Sequence, residues 1–370
     1  MRNNTLLKKF AAVLLILVMA IGAAACNSDT QSDTPNTQSN APSSAPSANP
    51  SASGASAPVN TSPITIVWYP NEAASDYEPA REEFGRLISE ATNREVRHNL
   101  TTDYVIAIEA IASGAADIGA IFGAVGFIEA QQRNPAVQSL IVNSGSSGTL
   151  DDAIYYSWLA VNKGDETQYS SGSGYSIENI QGKRMSFVSN SSTSGFVVPS
   201  SGIFSFFGQT AEWSDIDEDD ILGLSRNPFF SEVLFGGSHQ GSLFNLLDGR
   251  ADIAAICDTC VDAYVELASG EPNTIGSVYA IHQTAADPFE GVRGSEFFLI
   301  NVVPVLNGPI VYNPQNLSDG EIQAIRNIMT SDETADNPLM FGEGGGFSFY
   351  TKSGDSRFVV AENSWYDPLR

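Results

Sequence analysis

Ser191-Ser192-Thr193-Ser194-Gly195 follow an apolar run, Met185 to Val188, and precede the apolar segment Phe196 to Val198. A helix starting there presents unpaired backbone N–H groups, the positive end of its dipole and three or four hydroxyls to one point. Such a place holds an oxyanion without a lysine. The same residues also suit a turn that only caps its own helix. His239, in Phe235-Gly236-Gly237-Ser238-His239, stands at a glycine-flanked helix start, where its ring N–H serves an anion's oxygen or an ordinary backbone carbonyl. Asp258 follows the apolar run Ala251 to Ile256, so it falls at the carboxyl end of a strand, where open α/β sheets contact ligands. There it receives an ammonium group or caps the next helix. Tyr104, beside the candidate N-cap Asp103, offers a phenol to a ligand or packs as a buried aromatic.

Other chemistries find little support. Cys257 and Cys260 form a C-x-x-C pair deep in the chain, which in an exported protein is a local disulfide or two thiols rather than a thioredoxin-like centre. Three cysteines and three histidines build neither a multi-bridge scaffold nor a Cys/His zinc module. No G-x-S-x-G elbow, H-E-x-x-H or G-x-x-x-x-G-K-[ST] loop occurs, and no cofactor motif either. Ser192, His239 and Asp258 form a triple that any chain of this size offers by chance. With 43 acidic against 18 basic residues the formal net charge is -25, which repels a phosphate backbone and argues against nucleic acid as a partner.

These residues need elements to position them, and the pattern predicts an α/β protein. Ile64 to Tyr69 reads as a strand ended by Pro70; Phe84, Leu87, Ile88 and Ala91 mark a helix begun near Pro79. Glu95 to Leu100 is a second strand. Asp103 caps a helix carrying Ile108, Ile111 and Ala112, which Gly114 closes. Ile118 to Phe122 enters the glycine-containing segment Phe122 to Phe127. A second unit of the same grammar begins near Lys163 and includes the strand Met185 to Val188, a helix with Leu243, Leu246 and Leu247 ended by Gly249, and the strand Ala251 to Ile256. Periodicity is weakest between Asp287 and Asn307. From Ser318 a helix through Ile322, Ile325, Ile328 and Met329 returns to the first unit.

Ahead of this lies a different composition. Residues 1–25 place Arg2, Lys8 and Lys9 before an uncharged apolar run, Phe10 to Ala25, the layout of a bacterial export signal. Ala23, Ala24 and Ala25 precede Cys26 and resemble a lipobox, predicting a lipidated Cys26; plain secretion with cleavage near Ala25 is the alternative. Asn27 to Thr61, rich in Ser, Ala, Pro, Asn and Thr and lacking aromatics, reads as a tether with a reach of roughly 30–35 Å. The predicted division is an export signal at 1–25, a lipid-anchored linker at 26–62, a first lobe at 63–161 and 303–370, and a second lobe at 162–302.

In order along the chain, several pieces resemble the phosphonate ABC transporter substrate-binding family. They are Thr102-Asp103-Tyr104, Gly114-x-x-Asp117-Ile118, Gly182 to Phe187, Ser191 to Phe196, Gly237-Ser238-His239, Gly249 to Ala255, and the terminal Tyr366-Asp367-Pro368-Leu369-Arg370. The resemblance implies a type II solute-binding fold, two α/β lobes closing on a ligand in the cleft, and an ABC permease as partner. Carried over, it assigns Ser192, Thr193, Ser194, Tyr104 and His239 to the phosphonate group. It assigns Asp258, and Asp287 by a weaker alignment, to a ligand's amino group. Gly123 to Phe127 and Ile281 to Gly308 depart from the family pattern on the side facing the ligand's non-phosphorus end. The expectation is a monomeric, lipid-anchored, extracytoplasmic receptor that catalyses no reaction and needs neither cofactor nor metal. Rivals are a receptor for phosphate, phosphite or a sulfonate, an exported serine hydrolase using Ser192, and a ferric-ion receptor, for which no adjacent tyrosine pair exists in the second lobe.

Overall fold

The computed structural model describes residues 60–72, 74–344 and 346–370. The export signal, Cys26 and the tether up to residue 59 lie outside the described residues.

The first sheet begins with β1 (Ile64–Trp68), whose β-branched and aromatic residues favour an extended, buried strand. Ile64, Ile66 and Trp68 face one apolar cluster and Val67 faces another, so both sides of β1 are covered. α1 (Glu78–Thr92) has proline in its first turn and ends at Asn93, a left-handed residue with φ 53°. Its Phe84, Leu87 and Ile88 join Ile322, Ile325 and Met329 of the helix Asp319–Met329 in the first cluster. Each such side chain stabilises by about 1.5–3 kcal/mol on burial. β2 (Val96–Leu100) and β3 (Ile118–Ala120) flank β1 in parallel. Between them α2 (Tyr104–Ser113) is capped by Asp103, whose side chain accepts the Val105 N–H at 2.7 Å, and closed by Gly114 at φ 78°. α3 (Ala124–Arg133) follows, then β4 (Gln138–Asn143). The sheet order is Phe358–Val359, β4, Ile310–Tyr312, β3, β1, β2.

β5 (Ile154–Asn162) and the strand Glu296–Leu306 pair antiparallel from Ile154 opposite Leu306 to Asn162 opposite Phe297. Both belong to the second sheet, ordered Val265–Ser269, Val278–Ile281, Glu296–Leu306, β5, Ile253–Cys257, Arg184–Phe187, Glu232–Phe235. Alternate residues of β5, Leu159 and Val161 against Trp158 and Ala160, enter separate cores on its two faces. The chain passes from one sheet to the other at two places, and Asn307 ties them together: its N–H donates to Ala153 O and its side-chain amide to Asn143 O, each at 2.9 Å. The long strand Glu296–Leu306 occupies the stretch where periodicity fades. A bulge between Leu299 and Asn301 resets its alternation, and Pro304 is tolerated because the strand has only β5 as a neighbour there.

Candidate functional site

At the seam between the sheets lies a cavity of about 60 Å³, several times the ~10–15 Å³ that one water needs. Ser192, Thr193, Ser194, Tyr104 and His239 all line it and are all buried. Five of the seven residues assigned to the ligand from sequence are thus brought together.

The serine-rich turn is built by local necessity. Ser192 caps it, its hydroxyl accepting the Gly195 N–H at 3.1 Å. Thr193–Val197 winds wide, with Val197 N–H reaching back to Ser192 O at 3.1 Å, before α4 (Val198–Phe207) continues. A side chain at Gly195 would collide with Val188, so glycine is required there. As the first residues of the turn, Thr193 and Ser194 have N–H groups with no acceptor inside the helix. Thr193 Oγ1 accepts the Val125 N–H at 2.9 Å from the first lobe, leaving its own proton to donate. Ser191 donates to Glu129 at 3.1 Å, a second bond across the cleft. These two bonds link the lobes beside the cavity.

His239 is the first residue of the helix His239–Leu247, capped by Ser238. Its Nδ1 accepts the Cys257 N–H at 3.0 Å, so the neutral ring carries its proton on Nε2. Burial holds its pKa down at about 3, so it remains an uncharged donor. Tyr104 OH accepts from the Asn71 side chain at 2.7 Å. Its ring lies against Tyr69, which stacks in turn on Phe122, with centroids 4.2 and 4.5 Å apart.

Sequence reasoning missed three members of this wall. Asn71, in the turn Pro70–Glu72 after β1, accepts the His239 N–H at 3.1 Å while holding Tyr104, and so joins two predicted residues from opposite lobes. Tyr155 on β5 lines the cavity beside Thr193 and Ser194, and burial pushes its pKa up. Glu72 is buried with its carboxyl pushed up to about 8, mainly by desolvation. No motif surrounds any of them. Pro70 after β1 marked a turn at a strand's carboxyl end, the one sequence feature that pointed to Asn71 and Glu72.

Asp258 stands apart from the small cavity. It opens the turn Asp258–Val261, its Oδ1 accepts the Tyr156 N–H at 2.9 Å, and burial pushes its carboxyl up to about 7. It lines an adjoining cavity of about 670 Å³ that shares Asn143, Thr259 and Tyr350 with the smaller one. Asp287 is exposed and lines neither. Cys257 and Cys260 are joined in a disulfide, Cα to Cα 5.3 Å, so these sulfurs offer no thiolate to a metal despite lying near His239. Ser192, His239 and Asp258 make no nucleophilic relay, because His239 Nδ1 is taken by a backbone N–H and Asp258 faces Tyr156.

Among the described residues, no lysine or arginine lines the small cavity. Hydroxyls, a neutral imidazole N–H and helix-start N–H groups converge instead, an arrangement that suits a small oxyanion. Two α/β lobes, joined by long paired strands and meeting at a donor-lined cavity, define a type II solute-binding fold. Over residues 66–366 the chain matches the model of the family described as ABC transporter, phosphonate, periplasmic substrate-binding protein, and it belongs to that family.

Individual relatives are distant. The phosphate-import protein PhnD of Mycolicibacterium smegmatis is 23% identical over 244 residues, covering 64% of this chain and 70% of that protein. A binding-protein component of an ABC phosphonate transporter from Pseudomonas aeruginosa superposes with a TM-score of 0.59 at 18% identity, covering 84% of this chain and 85% of the other. PhnD1 from Prochlorococcus marinus, solved with methylphosphonate, gives 0.57 at 16% identity over 84% and 96% of the two chains. The family resemblance read from the ordered motifs is borne out, as is the two-lobe α/β fold. The chain is an extracytoplasmic substrate-binding protein of an ABC importer.

Proposed function

We propose that this protein captures a phosphonate or a closely related phosphorus oxyanion in the small cavity, through Ser192, Thr193, Ser194, Tyr104 and His239. Tyr155 and Asn71 complete the set. The observation that carries the reading is the convergence of uncharged, buried donors from both lobes on one cavity without a cation. Each unmatched buried donor costs ~1–3 kcal/mol, so the site favours a ligand whose oxygens meet all of them. Asp258 sits on the adjoining cavity, placed for the ligand's non-phosphorus end and for an amino group on it. In this reading the protein binds its ligand and catalyses no reaction, and it works as a monomer, without cofactor, metal or nucleic acid. Residues 63–161 with 303–370 and residues 162–302 serve as its two lobes. It is held to the membrane by a lipid on Cys26 after removal of residues 1–25, and residues 26–62 act as the tether.

A thermal-shift panel of methylphosphonate, phosphate, phosphite and methylsulfonate tests the ligand class. Saturating phosphorus oxyanions are expected to raise the midpoint by several degrees, as ~2.7 kcal/mol of linkage at about a hundredfold excess over Kd implies. A panel that moves nothing overturns the reading. Fatty-acid labelling that survives Cys26→Ala would overturn the anchor.

A further inference from the structure

Among the described residues, the only Asp, Glu, Lys or Arg lining the small cavity is Glu72. Glu72 is 7% exposed, and its Oε2 has no hydrogen-bond partner among the described residues. Arg81, the neighbouring cation, gives one guanidinium nitrogen to main-chain oxygens of Glu72 and Ala74 rather than to the carboxylate. A bare carboxylate on the wall beside a bound anion is repelled, and an empty buried acceptor is costly. Both problems vanish if one hydrogen lies between the carboxyl and a ligand oxygen.

We propose that Glu72 and the bound oxyanion share a single proton, which makes Glu72 the residue that selects an anion able to carry an acid hydrogen. This rests on the oxyanion reading above. A phosphonate or a phosphate brings the hydrogen or takes it from Glu72; sulfate and sulfonates bring none. Other groups facing Glu72 do not supply the proton. The phenols of Tyr69, Tyr77 and Tyr104 are pushed up by burial, as are those of Tyr264 and Tyr350. Arg81 remains a cation, and His239 is held neutral with its proton on Nε2. That Glu72 is itself held at about 8 by burial places the exchange near neutrality, where phosphonates and phosphate also titrate.

Proton accounting decides the matter. At about pH 9 both free Glu72 and free methylphosphonate are deprotonated, so the complex must take up about one proton per anion bound. Calorimetry of the purified protein with methylphosphonate, in two buffers of different ionisation heat, reads that number directly. Glu72→Gln should take up none. It should also narrow the preference for methylphosphonate over methylsulfonate by at least about tenfold at that pH, since its amide donates without a proton. Tight wild-type binding with no uptake overturns the shared proton and leaves the oxyanion site standing. Absence of binding by either anion overturns both. Should Glu72→Gln fail to fold by circular dichroism, the wild-type proton count decides alone.

Discussion

Thr193 Oγ1 accepts the Val125 N–H across the cleft at 2.9 Å. The hydroxyl assigned to the ligand is therefore also a bond between the lobes, and capture and closure act through one atom. Thr193→Val removes the donor to the anion and leaves Val125 unmatched. Affinity for methylphosphonate should fall about tenfold to a hundredfold, as ~1–3 kcal/mol implies, with little change in the melting of the ligand-free protein. Calorimetry that finds wild-type affinity removes this turn from the site.

Gly123 reports on the same contact from the other side. Its φ of -66° suits any residue, but a Cβ there would lie 2.7 Å from Thr193 Oγ1. Gly123→Ala should weaken anion binding about tenfold by obstructing closure alone. An equal loss of ligand-free stability would place the strain within the first lobe and refute that account.

Asn71 holds Tyr104 and His239 from opposite lobes. Asn71→Ala should lower affinity by about tenfold or more through two unmatched partners. A double-mutant cycle with Tyr104→Phe should be non-additive. Strict additivity would show that Asn71 does not position Tyr104.

The buried titrating groups give opposite pH limbs to the stability of the ligand-free protein. Glu72 is raised from 4.5 to about 8 and Asp258 from 3.8 to about 7. In those windows the folded state binds more protons than the unfolded, so their contribution is present at low pH and lost as pH rises through the folded values. His239 is lowered from 6.5 to about 3, so its contribution is present above 6.5 and lost as pH falls toward 3. Urea unfolding across pH should show His239→Gln flattening the acid limb and Glu72→Gln flattening the alkaline one. Unchanged limbs in both variants would mean that these groups are not buried as described.

Much of this was legible in the chain. Asp103, Gly114 and Ser318 announce helix ends because capping is local chemistry, and all three act as such. The serine-rich turn was legible for the same reason: strand, hydroxyls and glycine occur in immediate succession. Asn71 and Tyr155 were not, because each matters through a partner far away in sequence, and nothing local distinguishes such a residue. The placement of Asp258 turned on which way one side chain points at a strand end, which spacing does not encode. The strand Glu296–Leu306 was obscured by its own bulge and proline.

A recess lined, among the described residues, by no lysine or arginine, in a chain with 43 acidic and 18 basic residues, has a kinetic consequence. The surrounding field slows an approaching anion, and only dipoles at contact range draw it in. Raising ionic strength should therefore speed encounter rather than retard it, the reverse of what a cationic pocket shows in stopped-flow measurements.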